Sequence, residues 1–226
     1  MSDSIVLLSG GLDSAVLLAR EAEHRRAHPV YVRVGLAWEQ AELRFVQELL
    51  ASPVFVARVA PVSTLDFTMR DVYSPTHWAI EGKPPAYDTP DEDVYLTGRN
   101  LVLLTKAGVL AASKHISRIV LGPVAGNPFP DATPAFFASM AESLSLGLDH
   151  PIEIATPFGA MEKEDVIKLG RELNVPLQYT FSCMNPVAAE PLPRHCGLCS
   201  KCRERRDGFE AAGVADPTVY AHASPR

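Results

Sequence analysis

Six residues near the start of the chain, Ser9-Gly10-Gly11-Leu12-Asp13-Ser14, combine the groups that bind an anion in a β-to-α turn. The two glycines permit tight backbone with positive φ and leave no Cβ in the way, so successive N–H groups can converge on an anion. The helix that follows adds the positive end of its dipole, and the serines add hydroxyl donors. Asp13 can hold the turn by accepting backbone N–H groups, or help to position a cation. The stretch therefore predicts a phosphate or pyrophosphate site.

The spacing of this turn differs from two common phosphate-binding patterns. G-x-x-x-x-G-K-[ST] requires a lysine that the turn lacks, and G-x-G-x-x-G is not present. An ordinary glycine-rich β-to-α turn is the alternative interpretation.

The cysteines are a second group of residues with potential chemistry, and all of them fall in one 20-residue window: Cys183, Cys196, Cys199 and Cys202. Four thiolates at this spacing suit a tetrahedral Zn²⁺ with Zn–S bonds of about 2.3 Å. Four protein ligands close the coordination shell and leave no position for water activation. We therefore expect a structural zinc that braces the C-terminal segment.

Other uses of the cysteines remain open from the sequence. His195 could replace one sulfur, and C-x2-C-x2-C also begins a ferredoxin-type run, so an iron–sulfur cluster is the main rival. Unrelated buried thiols or a disulfide pair are the remaining interpretation.

Alternation of strands and helices positions these groups. Short β-branched runs predict strands at 4–8, 29–34, 54–59, 118–122 and 152–156. Helical spacing predicts five helices: one from Leu12, one that includes 43–50, and three over 99–114, 134–148 and 162–174. The helix over 99–114 is expected to be buried. Such alternation predicts an α/β fold, Rossmann-like, with an open doubly wound parallel sheet and ligands beyond the carboxyl ends of its strands.

Two further features concern organisation. Residues 63–96 form a long stretch rich in proline and aromatic residues, and we expect a functional loop there, a candidate lid. We expect an ATP-binding domain over 1–180 and a small zinc-braced segment over 181–226. The basic residues of that segment are predicted to form a solvated face on the last helix: Arg194, Lys201, Arg203, Arg205 and Arg206. A role at a dimer contact or at a phosphate is the alternative interpretation of these residues.

Composition limits the class of partner. The net charge of −6 gives no general attraction to nucleic acid or anionic lipid. No run approaches the roughly 18 apolar residues that span a bilayer, and the N-terminus lacks a basic leader. These observations predict a cytoplasmic protein that binds neither bulk nucleic acid nor a membrane.

The strand, SGGLDS turn and helix together resemble the signature of the PP-loop ATP pyrophosphatases, in which the loop grips the pyrophosphate of ATP. Thr156-Pro157-Phe158 and the helix start at Lys163 are similar to the second phosphate-side element of that superfamily. Gly98-Arg99-Asn100 resembles one of its pocket-lining elements. The resemblance implies an adenine nucleotide alpha hydrolase-like fold. Solvated helix-end charges are the alternative interpretation of Lys163 and Arg99.

Together with the four cysteines, these motifs resemble the 7-cyano-7-deazaguanine synthase family over almost the whole chain. That family adenylates 7-carboxy-7-deazaguanine, forms the amide with ammonia and dehydrates it to the nitrile, in queuosine biosynthesis. The resemblance implies ATP, Mg²⁺ and Zn²⁺ as cofactors, a deazapurine and ammonia as small-molecule partners, and a homodimer.

Site residues follow from the same resemblance, position by position. The ATP contacts that it implies are Leu8, Ser9, Gly10, Gly11, Leu12, Asp13, Ser14, Ala15, Val16, Leu17 and Leu18. The implied catalytic residues are Asp13, Lys163 and Arg99, and the implied substrate contacts are Arg99, Asn100 and Asp131.

The chain departs from the family pattern at three places, one of which is a longer gap between Cys183 and Cys196. Residues 34–40 replace a Tyr-Gly-Gln-Arg-His-like segment, and Phe129-Pro130-Asp131 only partly matches Tyr-Pro-Asp. We expect a substrate-side contact to differ there. Two other functions therefore stay open: another PP-loop enzyme, forming amides or transferring sulfur, and a nucleotide-binding module without turnover.

Overall fold

The computed structural model describes residues 2–225, with Asp91 by its backbone alone. Within those residues one sheet has five strands, which are β1 (Asp3–Leu7), β2 (Arg26–Arg33), β3 (Ser63–Asp66), β4 (Arg118–Val120) and β5 (Glu153–Ala155). All neighbouring pairs are parallel, in the order β3-β2-β1-β4-β5. The strand order reverses at β1, which has β2 on one side and β4 on the other.

Helices connect these strands. They are α1 (Leu12–His24), α2 (Glu39–Ala51), α3 (Trp78–Glu81), α4 (Arg99–Ser113), α5 (Pro134–Leu148), α6 (Lys163–Glu172) and α7 (Ser200–Ala211). Short 3-10 turns lie at Asp91–Val94, Pro130–Ala132 and Leu177–Tyr179.

Side-chain alternation along β1 builds a core on each face of the sheet. Ile5 and Leu7 belong to a cluster that includes buried residues of α4 and α5. Val6 points the other way and packs with buried residues of α1, α6 and α7. Since successive side chains of a strand face opposite sides, helices cover both faces. The predicted doubly wound parallel α/β fold is confirmed.

The strand predicted at 54–59 is wrong. This segment is a series of turns after α2, in which the N–H of Phe55 donates to Ser52 O and the N–H of Val59 donates to Phe55 O. Phe55 is fully buried and Val54 and Val59 pack partly buried against the same core, while Val56 is 67% exposed. Val59 touches the sheet in a single parallel bridge to Ala27 of β2, and the rest of the run satisfies its backbone locally. The sheet edge is left to β3, which pairs with residues 30–33 of β2.

Residues 63–96 contain more regular structure than a loop. They begin with β3 and include α3, and several side chains between 69 and 96 are buried, among them Met69, Tyr73 and Leu96. Tyr73 also donates a hydrogen bond from its hydroxyl to Thr97 O. This segment is packed onto the domain, and its role as a lid stays a prediction.

α4 is less buried than its composition predicts. Leu104, Ala107 and Ala111 face the core, but Leu101 and Val109 are 47% and 52% exposed. The helix packs on the sheet, on α5 and on the 3-10 turn at Pro130–Ala132. A helix that is apolar on most sides is therefore buried on only some of them.

Met1 and Arg226, at the ends of the two predicted units, lie outside the described residues. None of the helices in residues 2–225 combines the length and the apolar character needed to span a membrane.

Candidate functional site

The SGGLDS turn lies at the carboxyl end of β1, where the strand order reverses. In open α/β sheets this position forms the ligand crevice. Gly10 has φ +77, and a Cβ there would lie 2.8 Å from Cγ2 of Val46 on α2. The position therefore requires glycine both for backbone conformation and for space.

Hydrogen bonds within the turn hold its hydroxyls in place. Ser14 Oγ donates to Gly11 O over 2.9 Å, Ser9 Oγ lies 3.2 Å from Ser14 Oγ, and the N–H of Gly11 donates to Ser9 Oγ. Gly11 is the N-cap of α1, and no side chain caps the first turn of that helix within the described residues. Uncapped amides at a helix start are suited to an anion.

Lys163 and Asp13, 150 residues apart in the chain, meet beside this turn. Lys163 is the first residue of α6, and its Nζ lies 2.6 Å from Asp13 Oδ2 and 2.9 Å from Glu204 Oε1. Burial opposes the charge of Lys163, but the two carboxylates outweigh it and raise the pKa of the lysine. Lys163 is therefore a charged ammonium paired with two carboxylates, and the alternative interpretation of a solvated helix-end charge is wrong for it.

Asp13 retains an unused oxygen. Its Oδ1 is buried and has no hydrogen-bond partner among the described residues. A buried carboxylate oxygen without a partner is costly, so this atom is a candidate for a ligand or cation contact.

A cavity of about 350 Å³ opens beside the turn. Its wall includes four acidic and four basic side chains: Asp13, Glu42, Asp131, Glu204, Arg99, Lys163, Lys201 and Arg205. The net charge of the whole chain is −6, so the cavity is markedly less acidic than the protein as a whole. This balance permits a polyphosphate to bind.

Of the predicted ATP contacts, six line the cavity and are Leu8, Ser9, Gly11, Leu12, Asp13 and Ser14. Ala15, Val16, Leu17 and Leu18 are fully buried in the core of that face of the sheet. These four residues support the turn from below, because α1 runs away from the cavity after its first turn.

The three predicted substrate contacts also come together at the cavity. Asp131 Oδ2 accepts the backbone N–H of Asn100, and the Asn100 side-chain amide donates to the Asp131 carbonyl. Burial raises the pKa of Asp131. The Nε of Arg99 is buried without a hydrogen-bond partner in the described chain, so it is available to a ligand.

A cluster that the sequence analysis missed faces the same cavity. Glu42 is buried on α2, and its carboxylate accepts hydrogen bonds from the Tyr31 hydroxyl at 2.6 Å and from Trp38 Nε1 at 3.1 Å. Burial raises the pKa of Glu42 to about 7, although Arg99 opposes the shift. The signal was present in the sequence, because Glu42 lies four residues before Val46 on the apolar face of α2.

The prediction of a solvated basic face on the last helix is wrong. Arg194 lies before α7, and the Arg206 guanidinium packs 3.9 Å from the ring centroid of Tyr220. The clearest departure is Arg205. Its side chain is almost completely buried, and the residue is 3% exposed. The guanidinium donates to Leu177 O, Thr180 Oγ1 and Ser182 Oγ, among other acceptors. A guanidinium can be buried when fixed acceptors satisfy its donors, and here the acceptors come from the chain around residue 180.

The four cysteines converge, and all four sulfur atoms lie within 4.8 Å of one another. Cys202 Sγ is 3.9 Å from Cys196 Sγ and 3.6 Å from Cys199 Sγ, near the edge of about 3.8 Å of a tetrahedron with 2.3 Å zinc–sulfur bonds. Backbone N–H groups of Asn185 and Cys196 donate to Cys183 Sγ, which suits a thiolate. The set therefore fits a tetrahedral metal ion.

His195 is outside this cluster. It is buried, which lowers its pKa to about 3, and its Nε2 accepts the backbone N–H of Ser182. A nitrogen used in this way supports the backbone next to Cys183 and does not replace a sulfur ligand.

Comparison with known proteins matches these features to a family. The family model "Queuosine biosynthesis protein QueC" matches residues 3–213. A 7-cyano-7-deazaguanine synthase from Methanopyrus kandleri is 32% identical over 97% of this chain and 99% of that protein. The synthase from Anaeromyxobacter dehalogenans is 34% identical over 96% of this chain and 95% of that protein. The chain therefore belongs to the QueC family of queuosine biosynthesis proteins.

Proposed function

We propose that this protein is an ATP-dependent ligase that converts 7-carboxy-7-deazaguanine and ammonia into 7-cyano-7-deazaguanine. The relatives that match nearly the whole chain carry the name of that synthase. The observation that carries the proposal is the meeting of Lys163 Nζ with Asp13 Oδ2 at 2.6 Å, next to the amides of the SGGLDS turn.

The first half of the proposed reaction forms the amide. A carboxylate oxygen of the substrate attacks the α-phosphorus of ATP, the bond between the α-phosphorus and its bridging oxygen breaks, and pyrophosphate leaves. Ammonia then attacks the acyl carbon and displaces AMP. In the second half the amide oxygen attacks the α-phosphorus of another ATP and a second pyrophosphate leaves. Loss of AMP and of two N–H protons then gives the nitrile.

The protein residues contribute charge and position in this scheme. The turn amides and the Lys163 ammonium stabilise the charge that develops on the leaving pyrophosphate. Arg99 faces the substrate carboxylate or the α-phosphate, and Asn100 and Asp131 bind the purine-like edge. Mg²⁺ would be held by Asp13, whose Oδ1 lacks a partner in the described chain, and would neutralise phosphate charge.

We propose that the cysteine set holds Zn²⁺ as a structural ion. Four sulfur ligands leave no site for a substrate, so its contribution is to fold the segment that carries α7. We also propose that the chain has two units, an ATP-binding domain over 1–180 and a zinc-braced segment over 181–226 that contains α7.

A homodimer is the proposed assembly. The exposed apolar side chains of α4, Leu101 and Val109, support a contact with a second copy. Light scattering after size-exclusion chromatography measures the mass directly. Replacement of both residues by Lys should give the mass of one chain, and a wild-type mass of 24.5 kDa would contradict the proposal.

One reaction tests the proposed activity. The protein is incubated with ATP, Mg²⁺, ammonia and 7-carboxy-7-deazaguanine, and mass spectrometry follows amide, nitrile and AMP. We expect all three from the wild type, and at least about 100-fold slower turnover from Lys163→Met. Lys168→Met, an exposed position on the same helix, serves as control. Absence of amide and nitrile from metal-loaded wild type would exclude the proposed function.

A further inference from the structure

The last helix of the chain reaches the proposed pyrophosphate site. α7 packs on α6, and three of its side chains, those of Lys201, Glu204 and Arg205, line the same cavity as the SGGLDS turn. α7 begins directly after Cys199 and contains Cys202 in its first turn. The metal ligands therefore flank Lys201 on both sides.

Contact with α7 determines where Lys163 lies. A Cβ on Gly208 would lie 2.7 Å from Cγ of Lys163, so the missing side chain leaves room for the aliphatic part of the lysine. At the tip of the lysine, Glu204 Oε1 binds Nζ at 2.9 Å. Gly208 and Glu204, one turn apart on α7, thus hold the side chain at both ends.

Glu204 also binds a second ammonium group. Its Oε2 lies 2.5 Å from Nζ of Lys201, while Oε1 binds Lys163. One carboxylate therefore holds two ammonium groups side by side at the cavity wall. Their side chains are 28% and 21% exposed, so both remain accessible from the cavity.

Pyrophosphate has the shape and charge for this pair. It carries oxygens on two adjacent phosphorus atoms. An ammonium has three donors, so Lys163, which binds the carboxylates of Asp13 and Glu204, keeps one donor for a phosphate oxygen. Two ammonium groups separated by one carboxylate can therefore contact both phosphates at once. An ordinary i,i+3 surface pair would involve Lys201 and Glu204 alone, but here a lysine from another helix shares the same carboxylate.

Arg205 connects α7 to the turn by a second route. It donates to Thr180 Oγ1 and Ser182 Oγ, and Phe181 between them donates its N–H to Gly10 O at 2.7 Å. α7 is therefore linked both to Lys163, through Glu204, and to the SGGLDS turn, through residues 180–182.

From these contacts we infer that Lys201 is a second pyrophosphate-binding lysine, and that Glu204, Gly208 and Arg205 are the positioning residues through which the metal-bound segment builds the nucleotide site. The inference rests on the proposed function, since it takes ATP as the polyphosphate ligand. It extends that function by making the C-terminal segment part of the binding site as well as a brace.

Chemical protection of the wild-type protein tests the assignment without a variant. Lysines are acetylated with an N-hydroxysuccinimide ester, with and without pyrophosphate, and the rate at each lysine is read by mass spectrometry. We expect pyrophosphate to slow acetylation of Lys201 and Lys163 at least about fivefold, and to leave exposed Lys168 unchanged. Protection of Lys163 without protection of Lys201 would overturn the inference.

Calorimetry with variants gives an independent measurement. Lys201→Met should weaken binding of ATP and pyrophosphate at least about tenfold while binding of adenosine and the metal content stay as in wild type, and Lys201→Arg should restore much of the affinity. Lys168→Met is the matched control, because that lysine also forms an i,i+3 pair on a helix. Unchanged pyrophosphate affinity in Lys201→Met would refute the role of Lys201. Failure of the wild type to bind ATP at all would instead refute the proposed function.

Discussion

The backbone N–H of Phe181 donates a 2.7 Å hydrogen bond to the carbonyl oxygen of Gly10. This bond joins the chain just before Cys183 to the turn that carries Ser9 and Asp13. It explains why the N-terminal turn and the C-terminal cysteine segment, although far apart in the chain, belong to one site.

Arg205 should be among the residues that matter most for stability. Arg205→Lys removes the guanidinium that donates to both Leu177 O and Thr180 Oγ1. It also removes the Nε that lies 3.7 Å from Asp216 Oδ1. We expect a loss of about 3 kcal/mol in the free energy of unfolding, measured by urea denaturation. Arg171→Lys, at an exposed position, is the control and should change stability by less than about 0.5 kcal/mol. Equal effects of the two substitutions would contradict the buried network.

Gly10→Ala should damage the turn in two separable ways. The left-handed backbone costs about 1–2 kcal/mol for a residue with a Cβ, and the new methyl group collides with Val46. Adding Val46→Ala should relieve the collision but not the backbone strain. Gly126→Ala isolates the strain, because Gly126 also has positive φ but a Cβ added there would meet no atom of the described chain within 4 Å. Urea denaturation should rank Gly10→Ala as more destabilising than Gly126→Ala, and the reverse order would contradict the close packing of α2 on the turn.

Glu42 should make stability depend on pH. Its pKa is raised by burial to about 7, above the ordinary 4.5, so the folded state holds this proton more tightly than the unfolded state. Its contribution is therefore fully present below about pH 4.5 and is lost as the pH rises through 7. The difference in unfolding free energy between wild type and Glu42→Gln should fall by about 3 kcal/mol between pH 5 and pH 8. Glu48→Gln on the exposed side of α2 should show no such slope, and a flat difference for Glu42→Gln would contradict the shift.

Metal analysis tests the cysteine site. We expect one zinc per chain by inductively coupled plasma mass spectrometry, and loss of the metal in Cys199→Ser. Removal of the ion leaves four buried sulfurs without their shared partner, so the melting temperature should fall by about 10 °C. Iron with sulfide and visible absorption near 400 nm would show a cluster in place of zinc.

Local sequence patterns were enough to predict much of this molecule. The turn after β1 and the start of α6 at Lys163 follow from strand, glycine and helix signals that act over a few residues. α5 has the predicted bounds, because Thr133 caps it and Pro134 starts it. The C-x2-C-x2-C spacing likewise predicted a metal site whose sulfur atoms do converge.

Other features depended on contacts between distant segments. The run at 54–59 has strand composition, but apart from one bridge between Val59 and Ala27 it forms turns after α2, and β3 pairs with residues 30–33 of β2. Charge alone predicted a solvated Arg205, whereas acceptors from residues 177–182 allow it to be buried. Only the packing of α7 on α6 decided that Glu204 joins Lys163 to Lys201, since no local pattern states which helices will lie side by side on one face of the sheet. The periodicity of the sequence specifies which helices and strands form and which of their faces are apolar. Only the tertiary structure decides which polar groups meet, because their hydrogen bonds and ion pairs join segments that are distant in the chain.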